Sequence, residues 1–242
     1  MKTVGIIGGV GPETTAEFYL ELIFGSFEKN KTQRPPILIW NIPLEYKIEE
    51  DLLIKNEGEE RYIPFLIEGA RRLEKAGADF LVMPCNSLHI FIEEIRSAVQ
   101  IPVFSIVEET AKFLADRKIS EVGILATSTT ISKKLYESAL GQKKIAQLLP
   151  DDFEQAKIGQ IINNIVLNRH ANKDREQFLV IVENLSKRVD NIILACTDLQ
   201  LLIPSSEKVK IYDTMKIFAD ATVDKILGEN WVYLLALLAY LM

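Results

Sequence analysis

The sequence is poor in cysteine and histidine and carries no excess of positive charge. The 242 residues include only two cysteines, Cys85 and Cys196, and only two histidines. The low cysteine count argues against a disulfide-stapled secreted domain and favours a reducing, cytoplasmic setting. Neither a Cys-x-x-Cys nor a His-x-x-x-His spacing is present, so we expect no metal site. Because 28 basic residues stand against 34 acidic ones, we expect no general affinity for nucleic acid.

Long hydrophobic runs are also scarce. The N-terminal stretch MKTVGIIGG has one lysine and a short apolar run broken by glycine, which predicts a buried first strand and not a signal peptide. Residues 231–242 are almost all apolar and carry no charge; as a helix they would span about 18 Å, short of the ~30 Å hydrocarbon layer. We therefore expect no membrane span and predict that this tail is buried on its own domain or on a partner subunit, with adsorption to lipid as the alternative.

Short apolar runs alternate with longer segments of helical period. Strands are predicted at TVGIIG, ILIW, FLVMP, VFSI, VGILAT, NIILA and VKIYD. Helices are predicted at residues 12–24, 61–76, 87–99, 108–116, 132–140, 154–167, 174–188 and 214–227. The alternation predicts an α/β protein with parallel sheets covered on both faces.

The order of elements occurs twice along the chain. The echoes are VGII with VGIL (4–7 and 122–125), DFLVMPCN with DNIILACT (79–86 and 190–197), and VFS with IYD (103–105 and 211–213). We therefore predict two pseudo-symmetric parallel-sheet α/β lobes with the active site in the cleft between them. The predicted lobes are residues 1–103, joined by the C-terminal helix 214–228, and residues 104–213, followed by the apolar tail 229–242.

The two cysteines occupy equivalent positions in this repeat. Each stands at the carboxyl end of a predicted strand, just before a polar pair that can cap the next helix, and this edge carries the ligands in open α/β sheets. A helix N-terminus can lower a thiol pKa from about 8.5 toward neutrality, so we expect activated thiols. If the lobes face each other, the sulfurs would flank one carbon about 7 Å apart, too far for a disulfide, and could move a proton from one face to the other.

Four stretches together resemble the aspartate/glutamate racemase family, whose enzymes work without pyridoxal phosphate: GIIGGVGPETT, MPCNSLH, LACTDLQLLIP and IYDT. The resemblance covers about residues 2–228. It implies two pseudo-symmetric lobes, Cys85 and Cys196 as catalytic acid and base, and an acidic amino acid, aspartate or glutamate or both, as substrate. It also implies that no cofactor is needed, and we expect a homodimer because relatives associate and the apolar tail needs cover.

The resemblance and the repeat also assign a set of substrate-binding residues: Val10, Gly11, Asn86, Ser87, Thr127, Thr129 and Thr197. The residues beside the cysteines would hold the substrate's α-carboxylate and amino group. The glycine-rich turn after the first strand would line the site, since glycines let backbone amides approach an anion. The equivalent turn of the second lobe offers threonine hydroxyls for the same purpose.

The sequence departs from the family where the substrate's distal carboxylate should bind. Many aspartate racemases carry Pro-Asp-Arg-Thr after the second strand, but residues 41–47 read NIPLEYK. Lys47 could substitute only as a point charge without the bidentate fork of arginine. Some members carry a second basic residue at a position where this chain has Val166, and Arg169 lies nearby in the sequence. Members without the arginine include broader enzymes, so we expect activity on both aspartate and glutamate.

Other functions stay open from the residues alone. One is a related cysteine enzyme, such as a maleate isomerase, a decarboxylase or a hydantoin racemase; another is a non-catalytic carboxylate-binding protein or a thiol redox protein. A dinucleotide site is disfavoured because Thr14 stands where G-x-G-x-x-G needs its third glycine. His89 could tune Cys85, orient a neighbour or simply pack on its helix, and Asp198 could cap a helix or act in catalysis.

Overall fold

The computed structural model describes residues 1–52, 57–202 and 209–228. The first half contains β1 (Val4–Gly8), α1 (Pro12–Lys29), β2 (Ile37–Asn41), α2 (Tyr46–Glu50), α3 (Ile63–Lys75), β3 (Phe80–Val82), α4 (Ile92–Ala98) and α5 (Ile106–Asp116). The second half contains β4 (Glu121–Ala126), α6 (Ser128–Ser132), α7 (Glu137–Gln142), β5 (Ala146–Leu148), α8 (Asp152–Val166), α9 (Asn172–Ser186), β6 (Asn191–Ala195), β7 (Lys210–Asp213) and α10 (Thr214–Leu227). Short 3-10 turns cover Glu59–Tyr62, Ser87–Phe91 and Thr197–Leu202.

The strands form two parallel sheets with the same order. The first is β2-β1-β3 and the second is β5-β4-β6-β7. A bridge between Leu81 and Val103 stands where the first sheet would have its fourth strand. Ser105 then caps α5, since its hydroxyl accepts a hydrogen bond from the amide of Val107 at 3.2 Å. The predicted strand VFSI therefore shortens to that bridge. The α/β fold with two parallel sheets is confirmed.

The first glycine of each half occupies a matched place in the packing. A β-carbon on Gly5 in β1 would lie 2.6 Å from Leu81 Cδ2, and one on Gly123 in β4 would lie 2.7 Å from Leu185 Cδ2. Both distances are too short for a side chain. The repeated VGI pattern thus marks a position in β1 and β4 where a neighbouring leucine packs against the strand backbone.

A shared core joins the two sheets. One cluster of buried side chains contains Val82 of the first sheet, Ile124 of the second and Phe218 of α10. Helix α10 packs against α1 and α5, and the rings of Phe18 and Phe218 lie 5.6 Å apart. The two sheets are therefore fixed relative to each other by buried contacts, which matters for any site between them.

Some local predictions were wrong. The helix predicted at 132–140 is two short helices, α6 and α7, because Lys134 has a positive φ of 53° that an α-helix cannot accommodate. Strand β5 and helix α2 were not predicted. The tail prediction for residues 229–242 lies outside the described residues. In the part of the chain that the structure describes, no helix has the length and apolar character that crossing a membrane requires.

Candidate active site

Cys85 and Cys196 lie at the carboxyl ends of β3 and β6, each just before a 3-10 turn. Cys85 is half-buried and Cys196 is buried, and both are free thiols. The negative charge of an ionised Cys85 raises the pKa of Cys196, so the two sulfurs lie within electrostatic reach of each other. Both cysteines thus follow equivalent strands, and that they flank one substrate stays a prediction.

Burial controls the acidity of both thiols. It raises the pKa of Cys85 to about 11, although the amides of Leu88 and Ser87 face the sulfur and favour the thiolate. The pKa of Cys196 is raised well above its ordinary value by burial and by the negative charge of Asp198. The expectation of thiols activated by a helix N-terminus is wrong, because desolvation outweighs the amides of a short turn. Burial thus favours the neutral thiol at both cysteines.

Asp198 and the first turn of α1 surround Cys196. The thiol donates a hydrogen bond to Asp198 Oδ2 at 3.6 Å, and Thr14 Oγ1 donates to Asp198 Oδ1 at 3.5 Å and to Thr197 Oγ1 at 3.4 Å. Thr14 is a site residue that sequence reasoning missed, although a hydroxyl in the first turn of the helix after the glycine-rich turn was a usable signal. These bonds tie the start of α1 to the turn that carries Cys196.

The glycine-rich turn is held from within. Gly9 and Gly11 have positive φ angles of 86° and 84°, which glycine adopts without strain. Thr15 Oγ1 accepts a hydrogen bond from the amide of Gly9 at 3.1 Å and donates one to the carbonyl of Gly11 at 3.0 Å. Val10 is 8% exposed, and Gly11 precedes α1 directly. Val10 and Gly11 thus lie at the carboxyl edge of β1, beside the turns that carry the cysteines.

Asn86 joins the two sheets beside Cys85. Its Nδ2 donates to Thr214 Oγ1 at 3.0 Å, its Oδ1 accepts from Tyr136 Oη, and Thr214 Oγ1 donates to the carbonyl of Leu194 at 2.7 Å. Only 2% of Asn86 is exposed. Both ends of its amide are thus occupied by protein partners, so this predicted substrate ligand has a clear structural task at the junction.

Ser87, Thr127 and Thr129 border one cavity of about 300 Å³. Ser87 Oγ and Thr127 Oγ1 are hydrogen-bonded at 2.8 Å across the two halves of the chain. Helix α8 forms another wall, held to the end of β4 by a bond of 3.0 Å from Gln155 Nε2 to the carbonyl of Ala126. The described residues lining the cavity are Leu52, Ser87, Thr127, Ser128, Thr129, Ala156, Gly159, Gln160, Ile162 and Asn163.

His89 supports the backbone of Cys85. Its Nε2 accepts the amide of Ile106 at 3.2 Å, so Nδ1 must carry the proton that it donates to the carbonyl of Cys85 at 2.6 Å. Burial lowers the pKa of His89 to about 4, and the ring is therefore neutral. It orients the Cys85 turn against the start of α5, which was one of the roles left open; His170 is exposed on a loop.

Carboxylates gather near Cys196. The pKa of Glu49 is raised by burial and by the negative charges of Glu13 and Asp198. The pKa of Asp198 is raised by burial and by the charge of Glu13. This edge of the site therefore favours a positive group on a bound molecule.

Lys47, the cation predicted for the distal carboxylate, lies in α2. Lys47 pairs with Asp51 at 3.2 Å, its side chain is 60% exposed, and it is not among the described residues that line the cavity. Val166 packs against the core of the second half and Arg169 is exposed. Within the described ranges, no group of three His, Cys, Asp or Glu side chains is arranged to hold a metal ion.

Comparisons with known proteins agree with this geometry. The model of the Asp/Glu/hydantoin racemase family matches residues 7–222. The broad specificity amino-acid racemase RacX of Bacillus subtilis (strain 168) is 29% identical over 93% of this chain and 98% of its own.

Solved structures share the fold. An aspartate racemase homologue from Pyrococcus horikoshii OT3 is 27% identical with a TM-score of 0.77 over 94% of this chain and all of its own. The Picrophilus torridus aspartate racemase has a TM-score of 0.78 at 23% identity over 96% of this chain and 98% of its own. The family match spans most of the sequence, both sheets and both cysteine turns. This chain belongs to the Asp/Glu/hydantoin racemase family.

Proposed function

We propose that this protein racemises amino acids without a cofactor, by proton transfer between Cys85 and Cys196. The observation that carries the proposal is the placement of the two thiols. They stand at repeat-equivalent ends of β3 and β6, at the carboxyl edges of the two sheets and within electrostatic reach of each other. A substrate whose α-carbon lies between them would meet one sulfur on each face.

The reaction needs one thiolate and one thiol. The thiolate removes the α-proton and becomes a thiol, and the resulting carbanion takes a proton from the other thiol, which becomes a thiolate. The two sulfurs exchange protonation states in each turnover, so the pair titrates as one coupled system. The reverse reaction begins from the opposite state, and no external oxidant or reductant takes part.

Substrate binding supplies the missing activation. Burial raises the pKa of Cys85 to about 11, and that of Cys196 is raised well above its ordinary value. An amino acid carries an ammonium group, which favours a nearby thiolate. The charge of Asp198 raises the pKa of both thiols, and the sulfur on the side of the α-hydrogen acts as the base, so the enantiomer that binds decides which cysteine takes that role.

The remaining assignments complete the proposal. Val10, Gly11, Ser87, Thr127, Thr129 and Thr197 border or adjoin the site and hold the backbone of the substrate, while Asn86 fixes the geometry. The lobes are residues 1–103 with α10 and residues 104–213, in a cytoplasmic homodimer. Aspartate and glutamate are the substrates that the family implies, and the B. subtilis relative is a broad specificity amino-acid racemase.

Racemisation of a panel of L-amino acids by the wild type and by Cys85→Ala and Cys196→Ala, followed by chiral chromatography, tests the proposal. We expect each substitution to lower kcat by at least about 100-fold, since general acid–base groups contribute about 10² to 10⁴. Cys85→Ser serves as a conservative comparison, and circular dichroism checks the fold. Unchanged turnover in either alanine variant would contradict the two-thiol reaction.

A further inference from the structure

Three apolar side chains form an exposed stripe along α1. Leu20, Phe24 and Phe27 are 47, 60 and 63% exposed, and their spacing of four and then three residues puts them on one side of the helix. Phe18 and Leu22, on the opposite side of α1, are fully buried. Because the side of such a helix that faces away from its core is normally polar, the stripe indicates a second contact surface.

Helix α10 ends beside the carboxyl end of α1. Lys29, the last residue of α1, forms an ion pair of 2.6 Å with Asp224 in the last turn of α10. Gly228 follows α10 with a positive φ of 80°, which stops the helix. The chain after Gly228 therefore starts close to the end of the stripe at Phe27.

The sequence of residues 231–242 complements the stripe. It reads WVYLLALLAYLM and contains no charged residue. Apolar surface left in water raises the free energy of the protein by about 25 cal/mol per Å², and this applies to the stripe and to the tail alike. Because both belong to one chain, contact between them needs no second molecule and is favoured by a high effective concentration.

Two other occupants of the stripe match it less well. Its three side chains offer on the order of 300 Å² of apolar surface, since a large aromatic side chain buries about 150–250 Å², whereas a stable interface between two proteins buries about 800 Å² on each partner. The net charge of -6 opposes adsorption to an anionic lipid surface. A short apolar segment is the occupant whose size and polarity fit.

We infer that residues 231–242 pack on the stripe formed by Leu20, Phe24 and Phe27 of their own subunit. A segment on the far side of α1 lies about 18 Å from α10, twice the usual distance between packed helices, and about five extended residues cover that distance. Residues 234–242, as a helix, then cover about 13 Å, which exceeds the about 10 Å from Leu20 to Phe27. The tail thus supports α1, whose first turn contacts Asp198 through Thr14. This inference does not depend on the proposed function.

Limited proteolysis of the full chain with chymotrypsin, followed by mass spectrometry, tests the contact. Phe24→Lys places a charge in the stripe and should accelerate cleavage within residues 231–242 by at least about tenfold, because cleavage follows the population of the released tail. Val180→Lys is the matched control, since Val180 is 56% exposed on α9 and receives the same charge; it should leave the rate unchanged. Equal cleavage of the tail in the wild type and in Phe24→Lys overturns the inference.

Disulfide mapping identifies the occupant independently of that variant. Phe24→Cys is combined in turn with a cysteine substitution at four tail positions, Leu234, Leu237, Leu238 and Leu241, and each protein is oxidised mildly and digested for mass spectrometry. We expect at least one pair to form a bridge within one chain, with a yield that does not depend on protein concentration, and no bridge when Val180→Cys replaces Phe24→Cys. The absence of a bridge in all four pairs overturns the inference. Bridges that form only between chains overturn it in favour of a second copy, and protection of the tail from chymotrypsin only when phosphatidylcholine vesicles are added overturns it in favour of lipid.

Discussion

The buried amide of Asn86 permits a quantitative prediction about the junction of the two lobes. In Asn86→Ala, two buried side-chain hydrogen bonds disappear, and the hydroxyl proton of Tyr136 loses its acceptor. A hydrogen bond contributes about 1 kcal/mol, and a buried donor without a partner costs about 1–3 kcal/mol. Loss of the amide atoms also leaves a void, so we expect the free energy of unfolding to fall by about 3 kcal/mol, or the Tm by about 6–12 °C for a chain of this size.

A double-mutant cycle isolates the contact between the two side chains. Tyr136→Phe alone leaves Asn86 Oδ1 without its donor and should cost about 1–2 kcal/mol. In the double variant the hydroxyl and the amide are both absent, so neither is left without its partner. The double variant should therefore lose about as much unfolding free energy as Asn86→Ala alone. That loss is smaller than the sum of the two single losses by a coupling energy of about 1–2 kcal/mol. Urea unfolding followed by circular dichroism measures all four proteins.

Tyr46→Phe is the control for this cycle, because Tyr46 is 89% exposed. It should change stability by less than about 0.5 kcal/mol and add to Asn86→Ala without coupling. If the effects of Tyr136→Phe and Asn86→Ala on the free energy of unfolding also simply add, the reasoning is refuted, because the hydroxyl and the amide then do not depend on each other.

Three further predictions concern the titratable groups. Folded His89 has a pKa of about 4 against about 6.5 unfolded, so its neutral form adds stability that is present above pH 6.5 and is lost as the pH falls toward 4. Asp213, whose pKa burial raises to about 6, affects stability in the opposite direction, so the measurement compares urea unfolding of the wild type with that of His89→Phe. The difference between their free energies of unfolding should shrink by about 3 kcal/mol from pH 7 to pH 4, and a difference that does not change with pH would contradict the prediction. In a Cys196→Ala background, alkylation of Cys85 should accelerate about tenfold per pH unit up to about pH 11, whereas a plateau near pH 7 would show an activated thiol. Under mild peroxide, mass spectrometry without reductant should find no disulfide between Cys85 and Cys196; a reversible bridge would favour a redox role.

The sequence was informative where a pattern has one structural meaning. Val- and Ile-rich runs can be buried on both faces only in a covered parallel sheet, and the repeated VGI and cysteine motifs located matched strands. Both cysteines therefore stood at the predicted ends of β3 and β6. The family resemblance rested on those same motifs.

Features that depend on neighbours distant in sequence were not accessible in this way. The pKa of Cys85 follows from burial that only the packed lobes create, so reasoning from the adjacent turn alone gave the wrong direction. The bridge from Asn86 to Thr214 and Tyr136 joins residues 128 and 50 positions away. Lys47 was chosen for its charge and place in the chain, but it pairs with Asp51 one helical turn away, and its own side chain is 60% exposed.

The most direct test of the two-thiol account is the fate of the α-hydrogen at low conversion in deuterium oxide. With a separate base and acid on opposite faces, the product enantiomer should carry solvent deuterium from the first turnovers while the recovered substrate keeps its hydrogen. Mass spectrometry of the separated enantiomers measures both. Deuterium appearing equally in recovered substrate, or hydrogen retained in the product, would contradict proton transfer between Cys85 and Cys196.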